Sequence, residues 1–330
     1  MLSKNTRKII SLPYQLVHSL RKACYSKNLL KTKRLPLPVI SVGNISFGGT
    51  GKTPFTIYLA KLLSEKYQKK VCILTRGYGA RIPKKKLPLL IKHSQKKQYL
   101  KDNKLYIGDE PKLIIDKFVN NSNIVMSISS DRYGAAVKAL EEESDIDIFL
   151  LDDGMQHLGL YKDFEISLVN ISETGFYREF SAALKSIDIV VYSKVNDKWL
   201  SEKENQNKIG LKYKLNFSEW LDPAKGVLVF SGLADNQSFF ENIRAKLDEI
   251  NFFNSEAKID FETLALPDHY ELSKAEIENL ISKDQNIICT EKDLSKIPSK
   301  YHQHFISAEL DLEVYNEGAL LSSLDAFMSV

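Results

Sequence analysis

The residues with the clearest chemical potential form a glycine-rich segment, SFGGTGKT, at positions 46–53. Gly51, Lys52 and Thr53 match the end of the phosphate-binding template G-x-x-x-x-G-K-[ST], while Ser46 stands where the template has its first glycine. In such a P-loop the backbone N–H groups surround phosphates, the lysine reaches the β- and γ-phosphates, and the hydroxyl ligates Mg²⁺. The predicted nucleotide-binding residues of this loop are Ser46, Phe47, Gly48, Gly49, Thr50, Gly51, Lys52 and Thr53.

The patterns on either side of the loop favour a phosphate site over an incidental glycine turn. An apolar, strand-like segment, PLPVISV, precedes the loop at 36–42, and a helical pattern follows from Thr53 to about Tyr67. A helix that begins at the loop directs the positive end of its dipole at bound phosphates. Strand, glycine-rich loop and helix in this order therefore predict nucleotide binding.

A second chemical signal is a pair of carboxylates at the end of another apolar segment, IDIFLLDDGMQH, at 146–157. An apolar strand that delivers an aspartate at its C-terminal end is typical of the Walker B element, which helps to hold Mg²⁺. Because adjacent side chains point to opposite faces of a strand, one of Asp152 and Asp153 is expected to hold the metal and the other to orient a loop. Gln156 and His157 are candidates for the nucleotide or metal side. The alternative is a pair of helix-capping aspartates.

The N-terminal 34 residues carry basic side chains and no carboxylate; the first is Glu65. Ile9, Leu12, Leu16 and Leu20 recur at roughly helical spacing, which predicts an amphipathic helix at a membrane surface, where each basic residue adds about 1 kcal/mol near anionic lipid. The alternative is a solvated helix packed on its own domain. We find neither a secretory signal nor an apolar run of spanning length.

Composition narrows the class of protein further. Three separated cysteines offer no disulfide framework and fit a reducing compartment. A formal net charge of +4 is too small to indicate nucleic acid. Short apolar strands that alternate with helices predict an α/β fold with a parallel sheet covered on both faces. The predicted organisation is a basic membrane-associated helix at 1–34, a P-loop domain at 35–200, a linker or hinge at 201–224 and a smaller α/β domain at 225–330.

Several short motifs together resemble one family. They are VGNISFGGTGKTP (42–54), TRGYG (75–79), GDEP (108–111), DR (131–132), DDGMQH (152–157), PDHY (267–270) and TEKD (290–293). In this order, the set closely resembles tetraacyldisaccharide 4′-kinase, the lipid A 4′-kinase of Gram-negative bacteria, which tolerates serine at the first P-loop position. One departure is REFSAAL at 178–184, where Phe180 replaces the proline common in the family.

The resemblance implies transfer of the γ-phosphate of ATP, with Mg²⁺, to the 4′-hydroxyl of a tetraacyldisaccharide 1-phosphate in lipid A biosynthesis. It implies a larger P-loop domain hinged to a smaller domain that closes over the active site. It also implies a peripheral or monotopic protein on the cytoplasmic side of the inner membrane, and it indicates no obligate protein partner. Asp109 and His269 are expected to form a catalytic dyad that acts as the general base and activates the acceptor hydroxyl. The remaining implied roles are metal binding by Thr53, Asp152, Asp153 and Glu110, and substrate binding by Arg76, Tyr78, Arg132, Arg178 and Glu179.

Two other functions compete with this interpretation. The same fold serves assembly GTPases and ATPases such as metallocentre chaperones, but these usually carry a Cys-x-x-Cys or histidine-rich tract that this sequence lacks. A membrane-binding module without enzymatic activity would not need Lys52, Thr53 and the aspartate pair together. The TEKD segment at 290–293 loosely resembles a guanine-reading motif, and we interpret it as loop structure or a second-domain contact.

Overall fold

The computed structural model describes residues 4–47, 49–101, 105–172, 175–233, 236–250, 260–267 and 270–329. The chain divides into two compact units, the first formed by Met1–Lys212 with Leu312–Val330 and the second by Tyr213–Asp311. The chain thus leaves the first unit once and returns to it for its last residues.

The first unit is organised around a predominantly parallel sheet. Its strands are β1 (Val39–Asn44), β2 (Val71–Thr75), β3 (Leu89–Ile91), β4 (Ile124–Ile128), β5 (Ile148–Asp152), β6 (Phe164–Asn170), β7 (Ile189–Ser193) and the first part of β8 (Ile209–Phe217). Their spatial order is β8-β7-β6-β1-β5-β2-β4-β3, and β3 alone in this order pairs antiparallel to its neighbour. Every residue of β1, β2, β4 and β5 is buried, as expected for parallel strands covered on both faces.

Helices precede, connect and follow these strands. They are α1 (Lys4–Ser26), α2 (Lys52–Glu65), α3 (Lys96–Lys101), α4 (Asp109–Lys117), α5 (Arg132–Glu142), α6 (Asp197–Ser201) and, at the C-terminus, α10 (Glu317–Met328). Because β1, β5, β2 and β4 pair in parallel, the segments that follow their carboxyl ends lie at one edge of the sheet. Open α/β sheets bind their ligands at this edge.

The second unit has a smaller sheet covered on both faces. Its elements are β9 (Val227–Ser231), α7 (Asn236–Glu249), β10 (Phe261–Ala265), α8 (Lys274–Ile281), β11 (Asn286–Thr290), α9 (Glu291–Leu294) and most of β12 (Ile306–Tyr315), with strand order β10-β9-β11-β12. Alternate residues of β9 enter two different cores: Val227 and Val229 pack with α7, while Leu228 and Phe230 pack with α8.

Helix α1 packs on the first unit in an inverted manner. The side chains that it buries are polar, namely Ser11, Gln15 and His18, each at most 6% exposed. Its apolar side chains face outward, and they include Ile9 (69% exposed), Leu16 (55%), Val17 (61%) and Leu20 (68%). The spacing of the buried residues, four and then three, is that of one helix face. A helix that buries its polar face against the protein leaves its apolar face for another partner.

The predicted α/β class with a parallel, helix-covered sheet is confirmed. The structure differs from the sequence-based boundaries in two places. The polar segment 201–224, expected to be a linker, contains strand β8. The final helix α10, assigned by sequence to the smaller domain, belongs to the first unit. There Tyr67 donates a 2.7 Å hydrogen bond to Asp325, and the rings of Phe164 and Phe327 lie 4.9 Å apart. Closure of a smaller domain about a hinge stays a prediction.

Candidate active site

The glycine-rich loop joins β1 to α2 at the ligand-binding edge of the sheet. Gly51 adopts a left-handed conformation, with φ of 78°, immediately before α2 begins at Lys52. This conformation is unfavourable for residues with a Cβ atom, so glycine suits the turn into the helix. Asn44, the last residue of β1, donates a 2.8 Å hydrogen bond to the buried Thr50 hydroxyl. Gly48 lies outside the described residues. The loop is therefore tied to the strand at its base, while the N-terminus of α2 faces its open side.

The two aspartates at the end of β5 have different partners: Asp152 is the last residue of the strand and Asp153 follows it. Asp152 is buried and accepts a 3.1 Å hydrogen bond from the Thr56 hydroxyl of α2. Burial raises the pKa of Asp152 to about 7, and the carboxylates of Glu110 and Asp153 act in the same direction. A carboxyl group with this pKa, held beside other carboxylates, is a site that a cation would stabilise in its ionised form.

Asp153 is directed towards the P-loop lysine. It has a φ of 53°, which is uncommon for a residue other than glycine. Its carboxylate lies 3.6 Å from the Lys52 ammonium and accepts hydrogen bonds of 2.9 and 3.0 Å from Arg178. Burial alone would raise the pKa of Asp153, but Lys52 and Arg178 outweigh it and hold the pKa below its usual value. Asp153 thus stays ionised and holds two cations at the mouth of the loop.

Arg178 is bound to a small polar network. It donates a 3.1 Å hydrogen bond to Gln156, whose amide nitrogen donates to the Asn44 carbonyl and to Glu179, each at 2.9 Å. Glu179 is 4% exposed. The sequence assigned Gln156 to the nucleotide and Glu179 to the substrate; the structure unites them with Arg178 in one network, and their ligand contacts stay predictions.

A buried guanidinium lies close to both aspartates. Arg132 begins α5, which the Asp131 side chain caps by accepting from Gly134 at 3.1 Å. Arg132 is 3% exposed, and its Nε finds no hydrogen-bond acceptor within the part of the chain that the structure describes. Burial lowers its pKa to about 10, against the attraction of Asp152 and Asp153. A buried cation with an unused donor suits an anionic ligand such as a phosphate.

His157 is held uncharged at neutral pH. Burial, followed by the charges of Arg132 and Lys162, lowers its pKa to about 4. A neutral imidazole can accept a hydrogen bond or ligate a metal, but it cannot neutralise a phosphate by its charge. Its predicted place beside the nucleotide is therefore a matter of hydrogen bonding.

Two predicted substrate residues follow β2 on an exposed turn. Arg76 comes directly after the strand and is exposed. Tyr78 is 68% exposed between Gly77 and Gly79, which have φ of 68° and 72°. Glycines with positive φ let the turn bend sharply, so an aromatic ring stands out at the same sheet edge as the P-loop. This position suits contact with a ligand larger than the nucleotide.

The predicted catalytic carboxylate, Asp109, begins α4. Gly108 before it has a φ of 98° and no side chain to obstruct the helix start. Asp109 is 2% exposed and accepts a hydrogen bond from the Tyr106 hydroxyl, while the neighbouring Glu110 is exposed. His269, its predicted partner, lies outside the described residues. The helix start and the tyrosine fix the Asp109 side chain in one orientation.

The TEKD motif of the second unit has a structural role. Asp293 is buried and accepts hydrogen bonds from the Gly232 backbone at 3.0 Å and the Thr290 hydroxyl at 2.7 Å, with Lys296 3.1 Å away. These bonds join the ends of β9 and β11. They support the interpretation of the motif as loop structure, since its carboxylate is fully occupied by the protein.

The candidate site offers few protein ligands for a metal ion. Among the described residues, no group of three or more histidine, cysteine or carboxylate side chains is assembled for a metal ion. Mg²⁺ does not need one, because in nucleotide sites it retains waters and binds one or two carboxylates together with phosphates. Asp152, with the charges of Glu110 and Asp153 acting on it, suits such an ion, and metal binding by Thr53, Asp152, Asp153 and Glu110 stays a prediction.

Three residues of this site were missed by sequence reasoning: Asn44, Thr56 and His18. Asn44, two residues before the loop, and Thr56, one turn into the helix, contact residues that the P-loop and Walker B patterns had already identified. Their positions alone do not mark them as site residues. His18 belongs to a face of α1 whose polar spacing, Ser11, Gln15 and His18, was a signal available in the sequence.

Comparisons with known proteins agree over nearly the full length. A sequence model of the tetraacyldisaccharide-1-P 4′-kinase family matches residues 6–329. A curated tetraacyldisaccharide 4′-kinase from Aquifex aeolicus is 32% identical over 319 residues, covering 91% of this chain and 92% of the relative. That from Psychrobacter cryohalolentis is 29% identical over 337 residues, covering 92% and 83%. The crystal structure of LpxK from Aquifex aeolicus in complex with ATP superposes with a TM-score of 0.72 at 27% identity, covering 98% of this chain and 99% of that one.

Proposed function

The chain belongs to the tetraacyldisaccharide-1-P 4′-kinase family, and we propose on this premise that it transfers the γ-phosphate of ATP to the 4′-hydroxyl of a tetraacyldisaccharide 1-phosphate, a lipid A precursor. The observation that carries the proposal is the family match across residues 6–329 together with a P-loop whose Lys52 is held by Asp153. Neither the relatives nor the structure favours the assembly GTPase or ATPase.

Nucleotide binding rests on the loop and its neighbours. The backbone N–H groups of 46–53 and the first turn of α2 bind the phosphates, and Lys52 places its charge on the transferring group. Gln156 and His157 lie at the same edge and complete the nucleotide side. Asp153 keeps Lys52 close to the loop when no phosphate is bound.

Metal binding is assigned to Asp152 and Thr53, with Asp153 and Glu110 nearby. With Mg²⁺ held by these residues, the ion would supply positive charge to offset the negative charge that develops during transfer. The raised pKa of Asp152 supports this assignment, because a cation would favour its ionised form. The Thr56 hydroxyl donates to the Asp152 carboxylate and helps to orient it.

The proposed acceptor-binding residues are charged and aromatic side chains at the ligand-binding edge of the sheet. Arg132 offers a buried guanidinium with an unused donor, and Arg76 and Arg178 add cations for an acceptor that bears a phosphate. Tyr78 is placed to stack on sugar, while Glu179 accepts hydrogen bonds. Asp109, with His269, is the proposed base that takes the proton of the acceptor hydroxyl.

The membrane is the proposed location, through α1. No described helix has the length and hydropathy needed to cross a bilayer. Helix α1 instead exposes Ile9, Leu16, Val17 and Leu20 on its outer face, with Arg21 and Lys22 exposed beside them. Apolar side chains next to basic ones favour the headgroup region of an anionic leaflet. An acylated acceptor resides in a membrane, so this helix would bring the P-loop to it on the cytoplasmic side of the inner membrane.

Nucleotide turnover with and without the acceptor tests the function. The purified protein is given ATP or GTP, with Mg²⁺, in the presence and absence of detergent-solubilised tetraacyldisaccharide 1-phosphate. We expect ATP consumption that depends on the acceptor and yields one phosphorylated lipid per ADP. Turnover of GTP that ignores the acceptor would instead identify an assembly GTPase.

A further inference from the structure

His18 of α1 reaches into the catalytic unit from the membrane-facing helix. Its ring is buried, and Nδ1 lies 3.8 Å from the Glu179 carboxylate. Burial lowers the pKa of His18, while the Glu179 carboxylate and then the Gln156 carbonyl act in the opposite direction. Nε2 has no hydrogen-bond partner within the described chain. The histidine therefore uses one ring nitrogen, and that nitrogen faces Glu179.

From Glu179, polar contacts continue to the P-loop lysine. Gln156 donates to Glu179 at 2.9 Å and accepts from Arg178 at 3.1 Å. Arg178 donates to Asp153 at 2.9 Å, and Asp153 lies 3.6 Å from Lys52. We call this set of residues the polar chain: His18, Glu179, Gln156, Arg178, Asp153 and Lys52. Three hydrogen bonds and two close charged or polar contacts thus connect α1 to the P-loop lysine without a gap.

A second, aromatic connection joins the same two places. The ring of Tyr14 in α1 meets the ring of Phe47 edge-on, with centroids 5.1 Å apart. The guanidinium of Arg178 lies over the same Phe47 ring, 5.2 Å from its centroid. Phe47 is a residue of the P-loop itself, and its backbone N–H donates to the Phe176 carbonyl at 3.0 Å. Arg178 is thus connected to α1 by two routes, the polar chain and the ring of Phe47.

We propose that His18 is a positioning residue for phosphoryl transfer: through Glu179 and Gln156 it orients Arg178 and Asp153 around Lys52. Helix α1 is then part of the catalytic unit as well as its membrane contact. A helix seated on lipid by its outer face would hold its inner, polar face against the P-loop. This inference rests on the proposed function, because it concerns the same site.

Burial by itself does not explain the arrangement. Gln15, one turn earlier on the same face of α1, is also buried, but its amide bonds to Ser11 within the helix. Within the described residues it makes no hydrogen bond to the polar chain, so it serves as the matched control. If the inner face of α1 only fills space, replacing His18 or Gln15 should have the same effect on kcat. If His18 positions Arg178, only the replacement of His18 should lower kcat.

The test compares four variants of the full chain. Asparagine places its amide nitrogen where Nδ1 of histidine lies, and glutamine places it nearer to Nε2, so His18→Asn retains the contact with Glu179 and His18→Gln does not. His18→Leu removes it, and Gln15→Leu is the control. We measure kcat and the KM for ATP with detergent-solubilised acceptor, partition onto anionic phosphatidylglycerol vesicles, and amide hydrogen exchange across residues 176–180.

We expect kcat to fall about tenfold in His18→Leu and His18→Gln, and by less than about twofold in His18→Asn and Gln15→Leu, a factor of ten being about 1.4 kcal/mol in the barrier. Vesicle partition should change by less than about twofold in all four. Exchange at 176–180 should accelerate in His18→Gln but not in His18→Asn. In a His18→Leu/Arg178→Ala double variant, kcat should equal that of Arg178→Ala.

Equal kcat in His18→Asn and His18→Gln would overturn the proposal, as would a Gln15→Leu loss as large as that of His18→Leu. The asparagine and glutamine pair decides the matter if His18→Leu does not fold, because both side chains are polar and small enough for the site. A wild-type protein that phosphorylates no acceptor would refute the proposed function. In that case, hydrogen exchange at 176–180 still tests the positioning by His18.

Discussion

Replacing Asp152 with asparagine tests the electrostatics of the buried carboxylate pair. Burial and the neighbouring carboxylates raise the pKa of Asp152 from 3.8 to about 7. One pH unit corresponds to 1.36 kcal/mol, so a displacement of about three units costs the folded protein roughly 4 kcal/mol once the carboxyl group is ionised. Asparagine has the same shape, carries no charge and keeps an oxygen that can accept from Thr56. Asp152→Asn should therefore be the more stable protein where the wild type is ionised.

The effect has a defined pH window. In the unfolded chain Asp152 ionises near pH 4 and in the folded chain near pH 7, so between these values the folded state binds more protons and wild-type stability falls as pH rises. Above about pH 7 the full cost is present. The advantage of Asp152→Asn in free energy of unfolding should grow by roughly 3 kcal/mol between about pH 4.5 and about pH 8. Any contribution of the amide itself is independent of pH and cancels in this comparison.

Thermal unfolding without nucleotide and with a chelator measures the difference. At about 2–4 °C per kcal/mol, the Tm of Asp152→Asn relative to wild type should rise by roughly 6 °C or more across that pH range. Asp153→Asn is the control, because Lys52 and Arg178 hold the pKa of Asp153 below its usual value and no such growth is expected. A Tm difference between Asp152→Asn and wild type that stays constant with pH would refute the electrostatic account of this site.

Further predictions concern helix α1, the proposed dyad of Asp109 and His269, and the buried Arg132. Leu16→Gln with Leu20→Gln should weaken binding to anionic vesicles at least about tenfold, since each exposed leucine contributes about 1.5 kcal/mol or more when it is buried in lipid. The kcat of this double variant in detergent should not change. Deleting residues 1–24 should lower both vesicle binding and kcat, because the deletion also removes His18. Unchanged vesicle binding in the double variant would remove α1 from the membrane. Asp109→Asn and His269→Ala should each lower kcat, and their double variant should be no worse than the more damaging single one; additive losses would return both residues to structural roles. Arg132→Met should raise the KM for the acceptor or ATP at least about tenfold, because it deletes a buried cation beside the carboxylates; a KM like that of wild type would exclude phosphate binding by Arg132.

Local patterns predicted much of the catalytic unit. Strands β2 (Val71–Thr75) and β4 (Ile124–Ile128) have the bounds that their apolar runs indicate, because parallel strands buried on both faces are continuous apolar segments. Helix α2 begins one residue before its predicted start, at the lysine of the phosphate-binding motif. These features depend on a few neighbouring residues, so the sequence alone contains the information.

Other features depend on contacts between distant residues and could not be predicted. Strand β8 (Ile209–Phe217) lies in a polar segment because part of it is solvated, with a burial pattern that changes from buried to alternating. Helix α10 has an ordinary helical pattern, and nothing local indicates that it returns to the first unit. The sequence predicted that the apolar stripe of α1 contacts a membrane, but the burial of its polar face against the protein was missed. An apolar stripe normally marks the buried face of a helix, and here the buried face is the polar one, because its partners include Glu179.

Phosphate transfer by wild type and Lys52→Ala tests the central claim most directly. Both proteins are given ATP labelled at the γ-phosphate, Mg²⁺ and tetraacyldisaccharide 1-phosphate, and the lipid product is isolated and its phosphorylated position assigned by NMR. Lys52 lies at the N-terminus of α2, 3.6 Å from Asp153, and its proposed role is to stabilise the transferring group by its charge. The account predicts label at the 4′ position with wild type and less than about a tenth of that kcat with Lys52→Ala, a loss above roughly 1.4 kcal/mol. Label elsewhere, or a Lys52→Ala protein that retains more than about a tenth of the wild-type kcat, would contradict it.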